Sequence, residues 1–270
     1  MNNLALRALT AILGAAIIVT AFVLSPYGFG AVCLGIMLLT LKEFYQLSKI
    51  AGRHPYELWA ILFSSITFGL VFSIYELGVL PEVLWLLPAL FALVFIYPLL
   101  RISVSQPIQN IGITTMGIVY IALPFILFCS IAFIQGYYNY VLVLGILFLQ
   151  WSNDTGAYFA GKTMGKRKLF EAVSPKKTWE GAIGGFILSL IFAYGFYKIF
   201  GEIGLFEWLG LATIVSVFGS IGDLAESHFK RSLAIKDSGR SLPGHGGFLD
   251  RFDGLLLSLP FASTYLYLIL

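Results

Sequence analysis

Stretches of about twenty apolar residues follow one another along the whole chain, and nothing else constrains the fold as tightly. Hydrocarbon offers no partner to a backbone N–H or C=O, so a stretch that crosses a bilayer satisfies its own peptide groups by becoming a helix. We place spans at roughly 4–24, 27–48, 57–75, 81–100, 112–134, 138–159, 179–200, 204–225 and 253–270. The expected fold class is therefore all-α: a polytopic integral membrane protein of about nine transmembrane helices joined by short loops. The first stretch, Leu4 to Leu24, is broken only by Arg7, Thr10 and Thr20. It is long enough to span and the sequence behind it stays apolar, so it reads as a retained helix and not a cleaved signal peptide. Pro26, Pro55, Pro81 and Pro107 fall at or near joints, where a missing N–H costs least.

Of the 270 residues, 59% are hydrophobic and 11% charged, against about 25% charged in a soluble domain. That excludes a disordered chain, a secreted disulfide scaffold and an ordinary soluble enzyme. Cys33 and Cys129 both lie inside apolar runs and read as small packing residues, not as a disulfide or a metal site. No internal repeat is visible. The expected division is residues 1–135, N-terminal helices poor in polar groups, and residues 136–270, helices that carry a catalytic site at the cytoplasmic face.

The basic residues set an orientation. With these spans, 16 of the 17 Lys and Arg fall on one side of the membrane, and only Lys198 falls opposite, near Glu202 and Glu207. The positive-inside rule makes the rich side cytoplasmic, which puts the N-terminus inside and the C-terminus outside.

Polarity concentrates from Asp154 onward, in segments 151–181 and 219–254. Asp154 and Asp223 each end an apolar run, and Asp250 and Asp253 open the last helix, so three helix ends present carboxylates at one face. Such acids could simply pair with lysines at headgroup level, but their spacing favours a site. Asp223, Ser227 and Lys230 stand at i, i+4 and i+7, and Asp250 and Asp253 at i and i+3, each set on one helix face. Carboxylates of this kind suit Mg²⁺, which takes one or two from the protein and the remaining oxygens from water and substrate phosphates. Around them lie Lys230, Arg231, Lys236, Arg240, Arg251 and the run Pro243-Gly244-His245-Gly246-Gly247, whose N–H groups can cradle an anion. Acids, lysines and a glycine-rich turn together suit phosphoryl or nucleotidyl transfer. A basic loop that merely binds anionic lipid needs neither the acids nor the glycines.

Two patterns have plainer readings. Residues 156–163 match the spacing of a phosphate-binding P-loop, but they follow a membrane helix, and Tyr158 and Phe159 would fill the loop. Gly181, Gly184 and Gly185 give a small-residue spacing suited to helix packing. His54 reads as solvated beside Pro55, and His228 as rotated away from Asp223.

Residues 227–253 read Ser-His-Phe-Lys-Arg-Ser-Leu-Ala-Ile-Lys-Asp-Ser-Gly-Arg-Ser-Leu-Pro-Gly-His-Gly-Gly-Phe-Leu-Asp-Arg-Phe-Asp. This resembles the signature of the phosphatidate cytidylyltransferases, the CDP-diacylglycerol synthases, in its Ser, Lys-Arg, Lys-Asp, His-Gly-Gly and Asp-Arg-x-Asp elements. Segments 174–181 and 153–158 resemble the same family, so the likeness covers about the C-terminal half; the first 130 residues resemble it only in being hydrophobic. The resemblance implies that CTP and phosphatidate give CDP-diacylglycerol and pyrophosphate. It also implies Mg²⁺ dependence with or without a second cation, a multi-helix fold in a bacterial inner membrane, a homodimer, and no nucleic-acid partner. On that footing Asp223 and Asp250 are expected as metal ligands and Asp253 as a further or second-metal carboxylate, with Lys230 and Arg231 completing the catalytic set. Lys176, Lys177 and Lys236 are expected to bind phosphates, His245, Gly246 and Gly247 to shape the nucleotide loop, and Asp154 to support the same centre. A CTP-dependent lipid kinase is the nearest rival. A CDP-alcohol phosphotransferase would need an Asp-Gly-x-x-Ala-Arg run that is absent, and a transporter would place ionisable residues mid-helix between repeat halves.

Overall fold

The computed structural model of the chain describes residues 3–100, 106–235, 238–239 and 246–270. Its helices are α1 (Asn3–Leu24), α2 (Pro26–Ile50), α3 (Glu57–Leu77), α4 (Leu86–Ile96), α5 (Pro107–Gly117), α6 (Leu123–Ile131), α7 (Tyr140–Met164), α8 (Trp179–Phe200), α9 (Leu205–Ser232) and α10 (Leu249–Ile269). Tight 3₁₀ turns extend α4 on both sides into one rod. A π-helical turn, Ile118–Ala122, joins α5 to α6. Its cause is Pro124, which has no N–H for the Tyr120 carbonyl, so the backbone widens one turn earlier. Between α7 and α8 lies a small antiparallel hairpin, β1 (Lys168–Phe170) with β2 (Ser174–Thr178), in a stretch that carries no strand signal in its sequence.

Among the described residues, seven rods are long and apolar enough to cross a membrane, and Thr10–Leu24 adds a shorter apolar stretch. The protein is an all-α, multi-pass membrane protein. The expected prolines do stand at joints: Pro26, Pro81 and Pro107 begin their rods and Pro55 precedes α3. Side chains cap the starts. Ser25 Oγ accepts from the Gly28 N–H at 3.0 Å, and Asn139 Oδ1 from the Val141 and Leu142 N–H groups at 3.0 and 3.1 Å. Gly78 and Gly201 end α3 and α8 with positive φ.

The chain forms two compact units. One comprises Met1–Tyr138 with Asp237–Leu249. Its core is aromatic, with Phe22 edge-on to Phe29 (ring centroids 4.8 Å apart) and Phe29 against Phe128 (5.6 Å). Cys33 and Cys129 are free and buried in it, as their apolar setting implies. The Tyr45 hydroxyl donates to the Thr114 carbonyl at 2.7 Å, and the Tyr56 N–H donates to the Thr114 hydroxyl at 2.8 Å, which ties α2 and the start of α3 to α5.

The other unit comprises Asn139–Lys236 with Asp250–Leu270. Its central helix is α7, whose residues Val141 to Leu147 are all buried. The sequence places a span at 138–159, yet α7 is not among the seven apolar rods, because its second half turns polar from Gln150 onward. Gln150, Ser152 and Asn153 are buried there, while Asp154, Tyr158 and Phe159 in the same half are exposed. The P-loop spacing at 156–163 lies wholly within α7 and is helix, as its membrane context implies.

α8 shows how the packing works. Gly181, Gly185, Ser189 and Ala193, four residues apart, form its buried face, while Ile183, Ile187 and Ile191 stand exposed on the other. Small residues turned inward and branched apolar ones outward is the arrangement a helix takes when its outer solvent is lipid. The approach to α7 is close: a Cβ at Gly156 would lie 2.7 Å from the Gly184 carbonyl oxygen and 2.9 Å from Gly185 Cα. Gly156→Leu should therefore cost about 1–3 kcal/mol through overpacking and lower the melting temperature in detergent. Gly195→Leu, at a position with nothing within 4 Å, should leave it unchanged. Thermal unfolding followed by size-exclusion chromatography separates the two.

Candidate active site

α9 has 28 residues, a length of about 42 Å, whereas about 20 residues cross a bilayer core. Its apolar run stops near Gly222, and the remaining two to three turns carry Asp223, Glu226, Ser227 and Lys230. The expected membrane spans end at 225 and begin at 253, and the helices run beyond them, α9 to Ser232 and α10 from Leu249, in keeping with the i, i+4 and i+7 spacing of Asp223, Ser227 and Lys230 and the i, i+3 spacing of Asp250 and Asp253. Asp154 likewise sits within α7 and not at its end. The carboxylates thus stand on helix faces, more rigidly than loops would hold them.

α10 runs antiparallel to α9 where they meet. A Cβ at Gly222 would lie 2.6 Å from the Asp253 carbonyl oxygen and 3.1 Å from Gly254 Cα, and further along α9, Lys230 reaches back to Asp250. Asp253 therefore sits level with Asp223, and Asp250 level with Glu226 and Lys230. At the second level, Lys230 Nζ is 2.5 Å from Glu226 Oε2 and 2.5 Å from Asp250 Oδ1. Little solvent reaches this group: the side chains of Glu226, Asp250 and Lys230 are 0%, 8% and 12% exposed.

At the first level, Lys177 Nζ pairs with Asp223 Oδ2 at 2.6 Å, and the Ser227 hydroxyl donates to Asp223 Oδ1 at 3.3 Å. Lys177 is presented by β2, which ends in Thr178, the N-cap of α8; the Thr178 hydroxyl accepts from the Gly181 N–H at 3.1 Å. Glu180, in the first turn of α8, accepts from the backbone N–H groups of Lys166 and Arg167 and so ties the hairpin to that helix start. Asp154 Oδ1 accepts from Gln150 Nε2 at 3.1 Å, and electrostatically it faces Asp223, Lys177 and Arg251. Gln150 is itself buried between Gly219 and Gly254, where any Cβ would strike its amide.

Asp154, Asp223, Asp250, Asp253, Lys177 and Lys230 are thus brought together on α7, β2, α9 and α10. Arg231 is not in this group: it is exposed, and its Nη1 donates to the Ile235 carbonyl at 3.2 Å, closing the end of α9. Lys176 is exposed on β2. Gly246 has φ 90°, a conformation glycine takes without strain, and Gly247 is buried against Ser238 and Glu43. Lys236 and His245, like Arg101 and Arg240, lie outside the described residues. Among the described residues, no three His, Cys, Asp or Glu side chains surround one point that could hold a metal ion. Asp223, Asp250 and Asp253 therefore do not form a ready three-carboxylate cage, since Asp223 and Asp250 are each turned to a lysine.

Sequence reasoning missed two residues here, Glu226 and Gln150. Glu226 stands four residues before Lys230, a helical ion-pair spacing that was open to view. Gln150 likewise stands four residues before Asp154 on one helix; what the sequence does not show is its burial against Gly219 and Gly254.

The profile of the cytidylyltransferase family matches residues 5–269. The chain belongs to this family. It is similar to the phosphatidate cytidylyltransferase of Bacillus subtilis (strain 168), 42% identical over 156 residues that make up 57% of each chain. The protein of that name from Staphylococcus aureus (strain COL) is 48% identical over 125 residues, 46% of this chain and 48% of the relative. That from Haemophilus influenzae is 41% identical over 139 residues, 50% of this chain and 48% of the relative. The chain spans about half the length of the curated relatives it matches.

Removing the shared cation at the second level leaves two buried carboxylates facing each other. Lys230→Met should therefore destabilise the protein by about 3–5 kcal/mol. Adding Glu226→Gln to that variant should recover part of the loss. Melting curves of the single and double variants check both effects.

Proposed function

We propose that this member of the cytidylyltransferase family is a phosphatidate cytidylyltransferase, which converts CTP and phosphatidate into CDP-diacylglycerol and pyrophosphate. What carries the reading is the ladder of acids and lysines where the apolar run of α9 gives out, in which Asp223 and Glu226 meet Lys230, Asp250 and Asp253 of the 227–253 signature and Lys177 of β2. The names of similar bacterial proteins support it. CTP arrives from water while a phosphatidate headgroup lies at the bilayer surface, so a site near helix termini suits both. The reading includes a bacterial inner membrane, the basic loops and N-terminus on the cytoplasmic side, the C-terminus outside, and a homodimer supported by the family resemblance alone.

In the reaction, an oxygen of the lipid phosphate bonds to the α-phosphorus of CTP, and the bond from that phosphorus to the bridging oxygen of the β-phosphate breaks, releasing pyrophosphate. The lipid phosphate is already anionic near neutral pH, so no strong base is required. The obstacle is repulsion between two polyanions, and preorganised cations answer it. Lys177 and Lys230, fixed by their carboxylate partners, are aimed without further ordering, and Lys176 and Lys236 add charge from the hairpin and the loop. Arg231 contributes from the end of α9, and His245, Gly246 and Gly247 shape the loop around the nucleotide.

The donor set fits a hard divalent cation. Asp253 feels Asp223, Glu226 and Asp154 together, an excess of carboxylate oxygen around α7, α9 and α10. Asp223, Asp250 and Asp253 would hold Mg²⁺, alone or with a second cation, with Asp154 beside them. Bound there, the ion supplies positive charge to the triphosphate and to the leaving pyrophosphate.

Purified protein given labelled CTP, phosphatidate and Mg²⁺ should form labelled lipid and pyrophosphate, and chelation should abolish this. Phospho-lipid with CDP as the products would mark a lipid kinase instead. Asp223→Asn and Asp250→Asn should each lower turnover by about a hundredfold or more while the protein stays folded. Normal turnover in either variant removes that residue from the site. For orientation, Glu171→Cys should react with an impermeant thiol reagent only from the cytoplasmic side, and Lys198→Cys only from the other.

A further inference from the structure

A buried acid lies far from this ladder in sequence. Glu43, on α2, has 3% of its surface exposed in a helix that is otherwise largely apolar. An uncompensated carboxylate there would be costly, so its partners matter. Its Oε2 accepts a hydrogen bond from the Leu249 N–H at 3.0 Å, across 206 residues of sequence. Two glycines press on the same carboxyl group. A Cβ at Gly239 would lie 3.0 Å from Oε1 and 3.1 Å from Cδ, and a Cβ at Gly247 would lie 3.0 Å from Cδ and meet Oε2 as well. Both described ends of the glycine-rich loop are thus gathered on one side chain.

Leu249 is the first residue of α10, and Asp250 follows it directly. The first N–H groups of a helix have no partner within the helix, and the same end attracts negative charge. Glu43 supplies both an acceptor and a charge from a different helix.

We propose that Glu43 is a positioning residue for the reaction: its carboxylate holds Gly239, Gly247 and the Leu249 N–H together and so fixes the start of α10, the helix that carries Asp250 and Asp253. This rests on the cytidylyltransferase reading for what those aspartates do. The clamp itself has a readout that does not depend on that reading.

The test uses the full-length protein in lipid nanodiscs. In Glu43→Ala, hydrogen exchange in peptides covering residues 246–253 should quicken, while exchange in α7 and α8 stays as in the parent. Turnover at saturating CTP and phosphatidate should fall between about tenfold and about a hundredfold, with KM for CTP changed less than about threefold. Glu43→Gln, which keeps an acceptor, should recover most of the loss, and it also serves if the alanine variant does not fold. Gly239→Ala, whose Cβ would meet the Glu43 side chain first, should lower turnover in the parent and cost nothing further in Glu43→Ala. Unchanged exchange at 246–253, or independent, multiplying losses from Glu43→Ala and Gly239→Ala, overturns the clamp. If the parent forms no CDP-lipid, the functional reading fails, and the exchange data still decide the clamp.

Discussion

Lys230 stands between two carboxylates in a place almost without water, and the arrangement of the C-terminal helices follows from keeping that group paired. Taking three charges out of solvent is expensive, and a buried ion pair often contributes less to stability than well-packed apolar residues of the same volume. A membrane protein could fill this position with leucine and be at least as stable. A lysine with two acids, at the crossing of two helices, is therefore better explained by chemistry than by folding. The same holds for Lys177 on Asp223 one level away, though that pair is wetter, with the carboxylate 45% exposed, and so contributes less to stability.

Backbone contact at glycine makes the pairing possible. Gly222 lets α9 touch α10 at Asp253, and Gly219 and Gly254 admit the Gln150 amide that holds Asp154. Gly156, Gly184 and Gly185 bring α7 and α8 together in the same way. In lipid, apolar side chains gain nothing by meeting one another, so close contact of this kind replaces the hydrophobic drive of a soluble core. These contacts cover Gln150 and Asn153, two of the buried polar residues of α7.

Much of this was legible in the sequence, for physical reasons. Hydropathy reports which stretches suit lipid, so the apolar rods were evident, as were the prolines at the joints. α7 was the exception in kind: apolar at its start, it turns polar from Gln150 onward and is not among the apolar rods. Periodicity placed Asp223, Ser227 and Lys230 on one face, and the helix does continue through them. What escaped was whatever depends on two segments meeting. Lys177 was visible as a cation, but not as the partner of Asp223, because that pairing needs the β1–β2 hairpin. Arg231 looked like Lys230 by adjacency, yet one residue is a rotation of about 100° on a helix, which sends it to the Ile235 carbonyl.

Glu43 takes the same lesson furthest. Within its own helix it is the single acid, between Lys42 and Phe44, and no spacing rule links it to the C-terminal acids and lysines. Its meaning comes from the Leu249 N–H and from two glycines that leave room for its carboxyl group. The motifs with acids and lysines lie in the C-terminal half, although the family profile matches residues 5–269. A helix start has to be held by something, however, and hydrocarbon cannot supply an acceptor. The N-terminal helices therefore do more than anchor the chain: through one buried carboxylate they provide the acceptor at the residue preceding Asp250, and a helix chosen only for its hydrophobicity could not do so.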